Sequence, residues 1–303
     1  MKLSVTYDAA FNSLEEVPMS YDLPALRVAV AGGVATVTID NPPLNLSDGT
    51  LLPSLRRFVA EVRDDTDVRV IVFDSADPDI FIAHGETKFI TEPDVLAAAG
   101  AATVAANPDA EFPADLNLMQ VVHEEVRSLP QITIGKLTGL ARGGGNEFLM
   151  ALDMRFAAIG KAGQAQPEVL MGIMAGGGGT QYMTSLVGRA RALELLLGAQ
   201  LVDAELAERY GLVNRALPAD EIDAFVSALA TRIGALKPEI VSAVKNAVNA
   251  VPNPVTRAGL ATENSLLGPL FTADAAELAH KLLRAGMQTR DGELRLEALI
   301  NEL

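Results

Sequence analysis

Two glutamates stand beside runs of glycine. In GLARGGGNEF (139–148), Glu147 follows three consecutive glycines by one residue. In QPEVLMGIMAGGGGTQ (166–181), Glu168 precedes a run of four. Glycine leaves backbone N–H groups open to a ligand where a side chain would cover them. A strand is expected to end near Thr138, residues 139–145 to form a turn, and a helix to begin near Glu147. N–H groups at a helix start carry the positive end of its dipole. The combination makes an anion or oxyanion site, and two carboxylates beside it could act as a general acid–base pair. A plainer reading stays open. The glycines could serve a tight strand-to-helix crossing, and each acid could complement a helix dipole for under about 1 kcal/mol.

Other chemistries are excluded by residue type. No Lys-Ser/Thr follows the glycines, and the G-x-G-x-x-G spacing is absent, so neither a P-loop nor a dinucleotide fingerprint is present. His123-Glu124-Glu125 has no histidine four residues on and is not a zinc motif. It is expected to lie on an exposed helix face. Without cysteine there are no disulfides, thiolate nucleophiles or cysteine–metal sites. No metal and no separate cofactor are expected. A formal charge of −15 argues against nucleic acid, which needs a basic face.

The elements that would position these residues alternate. LRVAVAGGVATVTID (26–40) reads as two strands turned at Gly32-Gly33, and LLPSLRRFVAEVRDD (51–65) has helical spacing. VRVIVFDSAD (68–77) is a strand apolar enough to be buried on both faces. The Ala-rich stretch 90–117 is ambiguous. A helix at LNLMQVVHEEVRSLP, strands at QITIGKLTG and MRFAAIG, and helices at about 222–233, 238–250, 254–267 and 274–286 complete the pattern. This is an α/β core, 25–218, between an acidic lead-in, 1–24, and a helical region, 219–303. With 5% aromatics, the core must lean on Ala, Val, Leu and Ile. No targeting segment and no membrane-length apolar run are evident, so a soluble cytoplasmic protein without a membrane partner is expected.

Three blocks together resemble the crotonase superfamily, the enoyl-CoA hydratase/isomerase family: FIAHGETKFI (81–90), GLARGGGNEFLMALDMRFA (139–157) and the long block 166–218. The resemblance covers most of the chain, from about residue 26 to 250. It implies a spiral of strand–strand–helix units followed by a helical C-terminal oligomerisation region, and a homotrimer or homohexamer. By the same resemblance, Gly85 and Gly144 match the two oxyanion N–H donors, with Ala83, His84, Gly143 and Lys88 at the substrate. Glu147 and Glu168 match the hydratases' acid–base pair. The implied reaction is addition of water to an enoyl-CoA, with coenzyme A present only as part of the substrate. Alternatives are another crotonase reaction (isomerisation, hydrolysis or decarboxylation) or a non-catalytic acyl-CoA-binding protein.

The chain also departs from the family pattern. His84 stands where glycine is common and is expected to be a partly exposed loop residue. Arg142 replaces an apolar residue and is expected to find an acid, because a buried unpaired charge is costly. Ala175 and Tyr182 stand where Pro and Arg are common. The usual basic pair and aromatic ending are replaced by MQTRDGELRLEALINEL (287–303). Lys88, Arg56 and Arg57 are candidates for CoA phosphates, with solvated surface charge the favoured reading.

Overall fold

The computed structural model describes residues 23–250 and 255–301, so the lead-in falls almost wholly outside the described residues. The expected hairpin forms from β1 (Leu26–Ala31) and β2 (Val34–Ile39), antiparallel, with Leu26 opposite Ile39. Then follow α1 (Leu51–Val62), β3 (Val70–Ser75), β4 (Ile80–Ile82), α2 (Lys88–Thr91), α3 (Pro93–Ala105) and α4 (Leu118–Arg127). The ambiguous stretch is thus mainly a helix, entered through Pro93 at its first position, where a missing N–H costs nothing. Next come β5 (Ile132–Leu137), β6 (Leu140–Arg142), α5 (Gly144–Ala151), β7 (Met154–Ala158) and β8 (Gly163–Ala165). After these lie α6 (Gly179–Val187), α7 (Arg189–Gly198), β9 (Val202–Asp203), α8 (Ala204–Tyr210) and β10 (Arg215–Leu217). The end of the chain is helical: α9 (Ile222–Gly234), α10 (Pro238–Asn249), α11 (Arg257–Leu267), α12 (Ala273–Ala285), α13 (Arg290–Leu294) and α14 (Leu296–Asn301).

Two sheets organise the strands. The larger runs β1-β2-β3-β5-β7-β10, parallel from β2 onward. The smaller runs β4-β6-β8-β9, with β4, β6 and β8 parallel. The chain therefore spirals. It lays a strand in the large sheet (β3, β5, β7), then a short one in the small sheet (β4, β6, β8), then a helix. The segment expected as a plain turn, 139–145, contains β6, and the helix after it begins at Gly144, one turn before Glu147.

The few aromatics are concentrated where layers meet. Phe73 of β3 packs edge-on against Phe58 of α1 (6.1 Å) and Phe148 of α5 (5.2 Å), and Phe148 stacks with Phe81 of β4 at 6.5 Å. Val70 and Val72 of β3 meet Ile222, Val226 and Ala230 of α9 on the opposite face, so β3 is buried on both sides as its sequence suggests. Arg56 is not surface charge. It is fully buried, donating to Glu125 and to the carbonyls of Thr103 and Val104. Its position on the inner face of α1 outweighs its charge because every donor finds an acceptor. Nor is His123 exposed. Its ring is buried beside Phe148, with Nδ1 2.7 Å from Gly177 O. Burial holds its pKa down to about 4, so it is neutral.

Phe148 joins the aromatic cluster to the helix turn that carries Glu147. Phe148→Ala should cost about 3–5 kcal/mol of unfolding free energy, measured by urea denaturation. A loss under about 1 kcal/mol would mean that the cluster does not anchor α5.

Candidate active site

Three segments leave the same ends of three parallel strands. Ala83-His84-Gly85 follows β4, Gly143-Gly144 follows β6, and Gln166-Pro167-Glu168 follows β8. They converge on a cavity of about 370 Å³ lined by Gly85, Gly144, Glu147 and Glu168 together. Its other walls are mainly apolar, with Phe89, Leu96, Phe112, Met119 and Phe271 among them. Leu267, Phe271 and Met287 bring the C-terminal region of the same chain to this cavity.

Gly85 and Gly144 lie beside one another past the ends of the adjacent strands β4 and β6. A Cβ placed on Gly144 would lie 3.4 Å from the Gly85 nitrogen, and the Met119 side chain covers both glycines. Among the described residues, neither N–H is taken by a protein acceptor. Two N–H groups unclaimed by the protein and opening on one cavity are suited to an oxygen that gains negative charge.

Glu147 is buried on the first turns of α5, and its Oε1 accepts from the N–H groups of Gly177 (2.8 Å) and Gly179 (2.9 Å). A Cβ on Gly177 would come within 2.5 Å of Glu147 Oε2, so the carboxylate's approach requires glycine there. Glu168 begins the short 3-10 turn Glu168–Met171. A relay of amides holds it: Gln164 donates to Asn146 (2.8 Å), Asn146 to Gln166 (2.7 Å), and Gln166 to Glu168 Oε1 (3.1 Å). Among the described residues its Oε2, which is buried, has no hydrogen-bond partner. Gly143, at φ +45°, gives the carboxylate room: a Cβ there would be 2.9 Å from Glu168 Oε1.

Burial raises both acids. Glu147 is pushed well above the usual carboxylate range by desolvation and then by the charges of Glu168 and Glu263. Glu168 is pushed up to about 7, again chiefly by burial, with the charge of His84 pulling the other way. The charge of Glu168 bears on Glu147, so the two titrate as a pair.

Glu263 was not singled out by sequence reasoning. It sits on α11 between Leu260 and Leu267, on the helix's buried stripe, and an acid at that spacing was the available signal. Its carboxylate accepts from Gly178 N (2.6 Å), Thr180 N (2.8 Å), Gln120 Nε2 (3.1 Å) and the Thr180 hydroxyl. Successive N–H groups of residues 177–180 are thus divided alternately between Glu147 and Glu263.

The other candidate residues are placed as follows. His84 lines the cavity but is buried rather than partly exposed, because Nε2 lies 3.1 Å from Glu293 Oε1 and Nδ1 lies 2.7 Å from Gly85 O. Burial opposes its charge, but Glu293 outweighs that and its pKa is raised. Gly143 also lines the cavity. Ala83 packs with Leu44 and Ile80, donates to Leu44 O (3.2 Å), and does not line it. Lys88 is exposed next to the cavity residues Thr87 and Phe89, and Arg57 is exposed and paired with Glu61. Arg142 finds its acid in Glu297. Tyr182 is buried and donates to Glu124 at 2.7 Å.

A family model described as Enoyl-CoA hydratase/isomerase matches residues 29–288. The chain belongs to that family. It is 30% identical over 244 residues to the short-chain-enoyl-CoA hydratase of Clostridium acetobutylicum, covering 80% of this chain and 88% of that one. It is 31% identical over 246 residues to the probable enoyl-CoA hydratase EchA8 of Mycobacterium bovis, covering 80% and 89%. Among solved structures, one from Streptomyces avermitilis, described provisionally as an enoyl-CoA hydratase, superposes with a TM-score of 0.83 at 45% identity, covering 92% of this chain and 97% of that one. The ββα spiral and the C-terminal helices are therefore the crotonase fold. Among the described residues no helix is long and apolar enough to cross a membrane.

The negative charge of Glu263 beside Glu147 yields a signed expectation. Glu263→Gln should lower the upper carboxyl pKa of the Glu147–Glu168 pair, read by NMR titration of side-chain ¹³C-labelled glutamate. An unchanged or raised value would show that Glu263 does not bear on the pair.

Proposed function

We propose that this protein is an enoyl-CoA hydratase, adding water across the α,β double bond of an acyl-CoA. The observation that carries this reading is that both carboxylates line the same cavity as Gly85 and Gly144, whose N–H groups find no acceptor among the described residues. The names of the relatives at 30–31% identity support it.

In this reaction the thioester oxygen lies between the N–H groups of Gly85 and Gly144. As water attacks the β carbon, the π electrons move toward that oxygen, and the two donors stabilise the charge. One such donor is typically worth about 2.7–4 kcal/mol. The Glu147–Glu168 pair holds the water. Its ionised member takes a proton as the C–O bond forms, and its protonated member gives one to the α carbon. One proton enters the pair and one leaves it, so the pair keeps its proton count, and passing the proton from one member to the other restores the starting state. The apolar walls accept the acyl chain and keep bulk water from the enolate. Lys88, at the rim, is suited to a CoA phosphate as a solvated point charge.

Crotonyl-CoA should lose its conjugated thioester absorbance with the wild type. Glu147→Gln and Glu168→Gln should each lower kcat by about 10²–10⁴-fold. The acid limb of kcat/KM should lie near pH 7, where Glu168 ionises, and activity should rise through it. Turnover of another acyl-CoA with no incorporation of water from any enoyl-CoA would replace hydration with a different crotonase reaction.

A further inference from the structure

His84 and Arg142, two departures from the family pattern, are met by the divergent end of the chain. His84 immediately precedes Gly85, and Arg142 immediately precedes Gly143-Gly144. Both are buried, and both are held by carboxylates from the last turns of the chain. His84 Nε2 meets Glu293 Oε1 at 3.1 Å, and Glu293 is itself fully buried and accepts Gln288 N at 2.7 Å. Arg142 is fully buried and forks onto Glu297, Nε to Oε1 at 2.7 Å and Nη2 to Oε2 at 2.9 Å.

The same segment grips the surroundings of β4. Gln288 Nε2 donates to Glu86 Oε1 and Thr87 Oγ1, both at 3.0 Å, just after Gly85. Arg290 pairs with Asp77 and Asp79, just before β4. One ten-residue stretch, 288–297, therefore holds β4 from both ends and holds the end of β6.

The two N–H groups, one in the loop after β4 and one at the start of α5, are about sixty residues apart in sequence. The strands that carry them are three residues long each and pair with a register irregularity between Ile80 and Ile82. So short a ladder fixes the separation of the loops weakly. The buried His84–Glu293 contact and the Arg142–Glu297 ion pair, anchored in one helical segment, fix it further, because a bidentate Arg–carboxylate pair sets angle as well as distance, and a buried charge does not leave its partner freely.

We propose that α13–α14 acts in cis as a clamp that sets the spacing of the Gly85 and Gly144 donors, with Glu293 and Glu297 as positioning residues. The proposal rests on the reading of those glycines as the oxyanion donors. Glu293 and Glu297 act through His84 and Arg142 and do not touch the thioester.

The test uses full-length wild type, Glu293→Gln, Glu297→Gln and the double variant. Glu297 is partly exposed and Gln there keeps an acceptor for Arg142, so this variant carries the test if the buried Glu293 position does not tolerate change. Infrared spectra are taken of bound butyryl-CoA and octanoyl-CoA carrying a ¹³C carbonyl, which have no double bond to hydrate. The wild type should shift the carbonyl band to lower frequency. The variants should return it toward the free-ligand position, lower kcat for crotonyl-CoA by roughly 10- to 100-fold, and leave KM within about threefold. Folded variants with an unmoved band and unchanged kcat overturn the clamp. So does a rise in KM alone, which would make the segment only a cover for the substrate. If the wild type shifts the band but hydrates no enoyl-CoA, hydration fails and the clamp is decided by the band alone. If the wild type shows no shift with either ligand, the oxyanion reading and the clamp fail together.

Discussion

Two carboxyl groups, Glu147 and Glu263, are buried around four consecutive residues, Gly177 to Thr180, and the rest of the site follows from that constraint. An ionised carboxylate taken from water into apolar surroundings is expensive unless donors meet it. The available donors are the N–H groups where α6 begins. They alternate, Gly177 and Gly179 to Glu147, Gly178 and Thr180 to Glu263. This division needs a backbone free of side chains on the Glu147 side and a helix docked on the other side. The glycine run meets the first need and α11 meets the second. What hydrogen bonding leaves uncompensated is expressed as raised pKa values, and those suit the pair to passing protons near neutrality.

The spiral explains why these groups meet at all. Each turn adds one parallel strand to the small sheet, so the residues after β4, β6 and β8 emerge side by side although they are tens of residues apart. The scaffold does not determine how tightly the emerging loops are held. Strands of three residues give few ladder bonds. Buried side-chain networks do the remaining work: the Gln164–Asn146–Gln166 relay behind Glu168, and the His84–Glu293 and Arg142–Glu297 pairs beside the glycines.

Much of this was legible in the sequence because it depends on local pattern. Strand periodicity at 26–40 and 68–77, the glycine runs, and the helical stripes after 220 gave the elements and their order. The acids beside the glycines pointed to the cavity residues Glu147 and Glu168. Partnerships across long separations were not legible. Arg56 and His123 read as surface by residue type, yet each is buried because distant groups supply its hydrogen bonds. Glu263 lies more than a hundred residues from Glu147, and only its place on an apolar stripe marked it. His84 read as a loop histidine because its partner, Glu293, comes more than two hundred residues later. The need of Arg142 for an acid could be stated in advance, but which acid could not.

The account turns on a carboxyl that stays protonated at neutral pH inside the cavity. Infrared difference spectroscopy across a pH titration of the ligand-free protein observes it directly, through the C=O stretch of the protonated acid. The account predicts such a band in the wild type at pH 7, weakened in Glu147→Gln and lost as pH rises. A wild-type spectrum with only ionised carboxylates at pH 7 would contradict it.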